Sequence, residues 1–279
     1  MPEGDSVHRA ARRMAGALVG RTVAASDFRV PRHATASLAG ERVTGFVARG
    51  KHMLLRTDGG WTVHTHFRMQ GSWTVLAAGK RLPRSRADAA RLLLHLDDGR
   101  TAVALDMPVV DLLRTADEAQ VVGHLGPDLL TPPGQPGGWD EPEALRRLAA
   151  EPDRPVVGAV LDQRNLAGIG NLWAGELLFL RGVWPWAPVG AVDLPPLVRL
   201  ARKMLVWGFE HPGMVTTGDT RPGRAHWVYG RAGRPCLRCG TPVAFRPAAG
   251  AVAGADRETW WCPSCQPTPP AAADPPPPA

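Results

Sequence analysis

The sequence predicts an α+β chain of more than one domain: an N-terminal helix with an antiparallel β-sandwich, then a helical domain ending in a four-cysteine hairpin. Three observations carry that expectation. Between residues 22 and 113, short runs rich in β-formers are separated by Asp-Gly turns. Residues 131–142 hold four prolines and three glycines. Beyond them apolar residues recur at helical spacing, and the four cysteines all fall after position 235. A length of 279 residues accommodates two ordinary domains, and a hydrophobic content of 44% supplies their cores.

Taken in order, the first element is a helix. Asp5 and Ser6 are N-cap types, Val7, Ala11, Met14 and Leu18 form an apolar stripe, and Gly20 is a stop. Segments 42–48, 52–57, 61–67, 72–76, 91–97 and 101–106 read as strands, with hairpin turns at 58–60 and 98–99. This places an N-terminal domain at 1–130 and a linker at 131–142. Helical patterns at 143–150, 156–163, 171–181 and 195–209 define a second domain over 143–225. A cysteine-bearing segment spans 226–266. The segment 267–279, rich in proline, is expected to be a disordered tail.

Composition excludes some functions. No apolar run approaches the ~20 residues that span a bilayer, so no membrane role is expected. The start, Met1-Pro2-Glu3-Gly4-Asp5, is acidic and lacks an apolar signal core, which favours the cytoplasm. Net charge is +7, and only 3 of the 33 basic residues are lysine. Arginine forks onto phosphate oxyanions, although GC-rich coding bias explains the same excess. Residues 199–238 hold eight Lys/Arg against two Asp/Glu, a local asymmetry that favours a surface facing nucleic acid.

Cys236-x2-Cys239 and Cys262-x2-Cys265, 22 residues apart, supply four thiolates to a tetrahedral structural zinc; a redox or iron–sulfur site is the alternative. Pro235, Gly240 and Pro263 suit the knuckle turns. Segments 241–245 and 258–261 are β-like arms, so the metal would clasp a hairpin, with Arg257 as its candidate basic side chain or a merely solvated one. Gly168-Ile169-Gly170-Asn171 precedes a helix; Asn171 either caps that helix or turns its amide to a phosphate. Removal of Met1 would leave the secondary amine of Pro2, whose α-amino group titrates near ~8 and attacks an anomeric carbon if an acid lies beside it. Glu3 is that acid if burial keeps it protonated; a chance Pro-Glu start is the plain alternative.

These features occur together, in order, in one family. The chain resembles the formamidopyrimidine-DNA glycosylase/endonuclease VIII proteins through Pro2-Glu3-Gly4, Gly50-Lys51, His66-x2-Met69-Gln70-Gly71-Ser72-Trp73 and Gln163 through Asn171-x4-Glu176. Val228-Tyr229-Gly230-Arg231-x3-Pro235-Cys236 and Arg257-x4-Cys262-Pro263-x-Cys265-Gln266 complete the match, over positions 2 to 266. The resemblance implies a helix–two-turns–helix motif in the second domain, a zinc-finger hairpin, and double-stranded damaged DNA held between the domains with one nucleotide flipped out. It implies Pro2 as nucleophile, Glu3 as acid/base and Lys51 as a catalytic phosphate contact. By the same match Asn171 and Arg257 grip the flanking phosphates, and Arg68, Met69 and Gln70 form the wedge, with Met69 as its apolar plug. A Schiff base would collapse by β- and δ-elimination. No cofactor beyond zinc and no partner subunit are implied.

Pro-Glu-Gly-Asp and Arg49-Gly50-Lys51-His52 look like the endonuclease VIII branch, and residues 215–224 lack the longer loop that covers an oxidised purine, which points to oxidised pyrimidines and abasic sites. Ser6 stands where the family commonly has a second glutamate, and the zinc finger carries extra length at 248–255. A non-catalytic DNA-binding relative of the same fold is the second hypothesis, against which the intact Pro2, Glu3 and Lys51 speak. A zinc-bearing RNA-binding protein is the third.

Overall fold

The computed structural model describes residues 2–248 and 257–269, so the extra zinc-finger length lies almost wholly, and the tail mostly, outside the described residues. The chain divides into two units, Met1–His124 and Leu125–Ala279.

In the first unit, α1 (Gly4–Leu18) buries the stripe formed by Val7, Ala11, Met14 and Leu18. The helix begins earlier than the N-cap types suggested. Glu3 is the N-cap, and Ser6 sits at the third helical position, where its hydroxyl accepts from the Glu3 N–H at 3.0 Å. Asp5 is therefore a buried first-turn residue paired with Arg9 at 3.2 Å, favourable at the positive end of a helix.

Eight strands follow: β1 (Val23–Phe28), β2 (Val43–Arg49), β3 (His52–Thr57), β4 (Trp61–His66), β5 (Ser72–Leu76), β6 (Ala90–Leu96), β7 (Thr101–Leu105) and β8 (Val109–Arg114). They form two antiparallel sheets, in the orders β1-β6-β7-β5 and β2-β3-β4-β8. Phe46, Met53, Leu55 and Val63 of one sheet share a core with Val23, Trp73, Leu92 and Leu94 of the other and with the α1 stripe. The sandwich expected from short runs and tight turns is thus present, with β1 and β8 added. A one-turn helix, α2 (Ala119–Val122), ends the unit.

The second unit is helical: α3 (Glu141–Ala149), α4 (Val156–Leu161), α5 (Asn171–Arg181) and α6 (Leu194–Glu210). Asp140 caps α3 by accepting from the Glu143 N–H at 3.0 Å, and Gly182, at φ 65°, ends α5 in the left-handed region. The proline- and glycine-rich stretch 131–142 lies inside this unit, where Trp139 joins Trp173, Leu177, Leu197 and Leu205 in the core. Strands β9 (Ala244–Arg246) and β10 (Thr259–Trp261) pair antiparallel, Trp260 opposite Phe245. A satellite cluster of Phe179, Val228, Cys236, Val243 and Cys262 fastens this hairpin to α5. Among the described residues no helix is long and apolar enough to cross a membrane.

Candidate active site and metal centre

The expected catalytic residues of the first unit lie at element ends. Pro2 is half-buried immediately before α1, and Glu3 at its N-cap is only 1% exposed. Helix α1 packs on β2, β3 and β5, and Arg13 donates to the Trp73 carbonyl at 3.2 Å, so the helix is held by the sheets beneath it. Lys51 occupies the tip of the β2–β3 hairpin. Arg49 and His52 are its last paired residues, so Gly50-Lys51 is a two-residue loop, and Gly50 takes φ 57° as the first position of such a loop requires.

The segment between β4 and β5 carries the expected wedge. Arg68, Met69 and Gln70 are all exposed, Met69 at 61%. The turn is forced by Gly71, whose N–H donates to the Phe67 carbonyl at 2.9 Å and where a Cβ would lie 2.8 Å from the Phe67 backbone. Arg68 takes φ 49°, and its N–H donates to His66 Nδ1 at 3.0 Å. A large apolar side chain is thus displayed on a rigid turn.

Behind Lys51 lies a polar cluster: His52 and His66 belong to the sequence motifs, but nothing in the spacing showed that they meet His64 and His124. His52 Nδ1 and His64 Nε2 are 2.8 Å apart, and His66 and His124 bring their ring centroids to 4.8 and 6.1 Å from that of His52. Burial, then the neighbouring imidazoles and Arg68, push His52 down to about 2. Burial, then Arg68, lowers His66 to about 4. Burial also lowers His64, against the pull of Asp111. All three rings are therefore neutral at physiological pH.

In the second unit Asn171 is the first residue of α5 and does not cap it; Gly170 holds the cap position. Its amide donates to the Glu258 carbonyl at 2.8 Å, which brings Asn171 beside the exposed Arg257 at the entry to β10. Gln163 braces the preceding loop, donating to the Leu161 and Ile169 carbonyls and accepting from the Gly168 N–H, each at 2.9–3.0 Å.

Cys236, Cys239, Cys262 and Cys265 place their sulfurs within 4.8 Å of one another. Cys236–Cys265 and Cys239–Cys262 separations are 4.0 and 3.4 Å. A tetrahedron with bonds of ~2.3 Å has edges of roughly 3.8 Å, so the four sulfurs fit one metal ion. The knuckles are formed: the Arg238 N–H points at Cys236 Sγ at 3.4 Å, and the Cys265 N–H at Cys262 Sγ at 3.5 Å. A hydrogen bond from Thr241 lowers Cys239 to about 6, whereas burial raises Cys262 and Cys265. Four crowded thiols of this kind ionise together only around a cation.

The sequence profile of the formamidopyrimidine-DNA glycosylase N-terminal domain matches residues 1–108. "Probable endonuclease 8 2" of Streptomyces coelicolor is 51% identical over 269 residues, covering 95% of this chain and 94% of that protein. The chain belongs to the formamidopyrimidine-DNA glycosylase/endonuclease 8 family. Within the family it is also 41% identical to "DNA-(apurinic or apyrimidinic site) lyase Nei2" of Mycolicibacterium smegmatis, over 95% of this chain and 99% of that one. The crystal structure of the MutM (Fpg) protein from Thermus thermophilus superposes with a TM-score of 0.73 at 29% identity, covering 95% and 98% of the two chains.

Two residues of the family motifs acquire functions that their spacing did not suggest. Glu176, fully buried on α5, accepts from the N–H groups of Trp227, Val228 and Tyr229 at 2.8–2.9 Å and from the Thr216 hydroxyl. Gln266, also fully buried, accepts from the Cys262 N–H at 3.0 Å and donates to the Val183 carbonyl at 2.8 Å, tying the second knuckle to the end of α5. Each organises a loop from inside. A buried carboxylate facing three successive amides is readable only once the fold brings 176 to 227–229.

Proposed function

We propose that the protein is a base-excision DNA glycosylase with abasic-site lyase activity, acting on oxidised bases, pyrimidines in preference, and on abasic sites in double-stranded DNA. The observation that carries this reading is Glu3: a carboxyl 1% exposed, at the N-cap of α1, directly following the half-buried Pro2. Similarity to an endonuclease 8 and to an abasic-site lyase over nearly the whole chain supports it. The short loop 215–224 supports pyrimidines over purines.

With Met1 removed, the Pro2 nitrogen attacks C1′ of the damaged nucleotide while Glu3 protonates the sugar ring oxygen. The C1′–base bond breaks, the departing base taking the proton that the Pro2 nitrogen gives up, the ring opens, and an iminium joins Pro2 to C1′. The iminium acidifies C2′; loss of that proton expels the 3′ phosphate (β-elimination), and a second proton loss expels the 5′ phosphate (δ-elimination). Lys51, at the hairpin tip, neutralises the phosphate at the lesion. Asn171 and Arg257 grip flanking phosphates, and Met69, with Arg68 and Gln70, fills the hole left by the flipped nucleotide. Zinc held by the four cysteines supplies structural closure, aiming Arg257 without reaching the chemistry. A monomer suffices, and the bacterial cytoplasm is the expected compartment.

Borohydride trapping on abasic-site DNA tests the reading. A covalent adduct is expected from the wild type and none from Pro2→Gly. A wild type with a free Pro2 that never traps would overturn it.

A further inference from the structure

We propose that His52, held by His64 and Asp111, is a positioning residue for Lys51. The inference rests on the reading of Lys51 as the lesion-side phosphate contact. The strand register supports it first. His52 pairs directly with His66 across β3 and β4, and His64 pairs directly with Asp111 across β4 and β8. With a side-chain period of two, residues 52, 64, 66 and 111 therefore share one face of their sheet. It is the face turned away from the sandwich core, because Met53, Leu55 and Val63 take the other.

One hydrogen-bond order is then favoured. His64, 4% exposed, faces Asp111 Oδ2 with its Nδ1 at 3.5 Å, a contact that forms no hydrogen bond but puts a carboxylate's negative charge beside that nitrogen and so favours the hydrogen there. In that order His64 Nε2 is a lone pair, His52 Nδ1 donates to it across 2.8 Å, and His52 Nε2 is left as an acceptor. Through its charge Asp111 thus biases the tautomer of a ring two residues removed from it in the chain of contacts. His33 and Arg32 flank Asp111 at 3.8 and 3.3 Å, Glu118 and Asp111 act on His64, and Lys51, Arg68, His64, His66 and His124 surround the rings. An apolar pair would fill the same space without demanding matched donors and acceptors.

The lever is short. His52 closes a two-residue loop, so fixing its ring fixes the residue before it, Lys51, whose reach begins one bond beyond the last strand pair. Trapping rates on abasic-site DNA with the full-length chain test this through a double-mutant cycle. His64→Leu, which removes both ring nitrogens between His52 and Asp111, is expected to slow trapping about tenfold. His64→Gln, whose amide reaches the Nε2 position, restores most of the rate. In a Lys51→Ala background the same His64→Leu change costs almost nothing. Equal losses in both backgrounds, or no loss from His64→Leu, would overturn the inference alone. Lys51→Ala matching wild type would remove the lysine's assigned role and the inference with it. Should His64→Leu fail to fold, Asp111→Ala leaves both rings in place, and imidazole 15N shifts read the outcome. His52 is expected with its hydrogen on Nδ1 in the wild type and displaced toward Nε2 in the variant, with slower trapping; a wild-type His52 carrying its hydrogen on Nε2 refutes the proposal.

Discussion

Replacing Glu176 by glutamine separates what burial of a carboxylate contributes from what its shape contributes. In its best orientation the amide keeps its oxygen at the Oε1 position, retaining the Val228 and Tyr229 N–H groups, both at 2.9 Å. Its amino group then occupies the Oε2 position and meets the Trp227 N–H, which had donated across 2.8 Å, donor to donor. The Thr216 hydroxyl can reverse and accept. One orphaned buried donor costs ~1–3 kcal/mol, and turning two charge-assisted bonds into neutral ones costs roughly 1 kcal/mol each. The sum, about 3–5 kcal/mol, predicts a fall in melting temperature of about 6–20 °C at ~2–4 °C per kcal/mol for a domain of this size. Glu176→Ala, which orphans every donor and leaves a cavity, should fall further. Thermal unfolding with amide exchange at residues 227–229 is the assay. A Glu176→Gln protein melting within about 2 °C of wild type, with exchange there unchanged, would refute the hub.

Met69→Ala should leave the melting temperature unaltered, since the side chain is exposed, yet reduce trapping on abasic duplex; a stability loss or unchanged trapping would remove the wedge assignment. Cys239→Ser should lower zinc content and DNA affinity together, and unchanged affinity in a metal-free protein would refute the hairpin's part in binding. Affinity should fall steeply with salt, and Arg257→Ala should reduce the slope of log K against log salt by about one; an unchanged slope places Arg257 off the phosphates. The lowered histidines give a signed pH dependence. The unfolded chain protonates at the ordinary 6.5 whereas folded His66 does so at about 4, so stability is full above 6.5 and is lost as pH falls through that window. His66→Gln should flatten the decline; equal acid sensitivity in the two proteins would refute the neutral cluster.

The parts of the fold legible in the sequence are those set by local periodicity. The α1 stripe, the Asp-Gly hairpins and the four helices of the second unit follow from spacing and turn chemistry alone. Helix starts were less legible: Ser6 is a common N-cap type, yet its hydroxyl serves the residue three positions earlier, and only the backbone shows which end of that exchange it occupies. The candidate site divides in the same way. The clustering of Cys236, Cys239, Cys262 and Cys265 is readable because metal ligands recur at knuckle spacing, and Lys51 stands out as a candidate because lysine is scarce in this chain.

What sequence spacing hides is the set of residues that hold the exposed ones still. Glu176, Gln266 and His64 are buried, His52 and Asp111 half-buried, and each has a partner 12 to 83 positions away. Their partners are chosen by strand register and helix packing, so a one-residue slip of β4 would send His64 to the sandwich core and Val63 outward. Register is enforced by the apolar face opposite, through Met53, Leu55 and Val63. The sandwich core thereby does two jobs: it stabilises the unit, and by fixing which side chains lie on its outer face it sets the hydrogen-bond order behind Lys51. A core substitution such as Val63→Ala should therefore disturb trapping beyond what its loss of stability accounts for. The comparison to make is with a core change of equal cost in β7, such as Val103→Ala, which lies in the other sheet. If the two variants, matched in melting temperature, trap abasic DNA equally well, register does not reach the site.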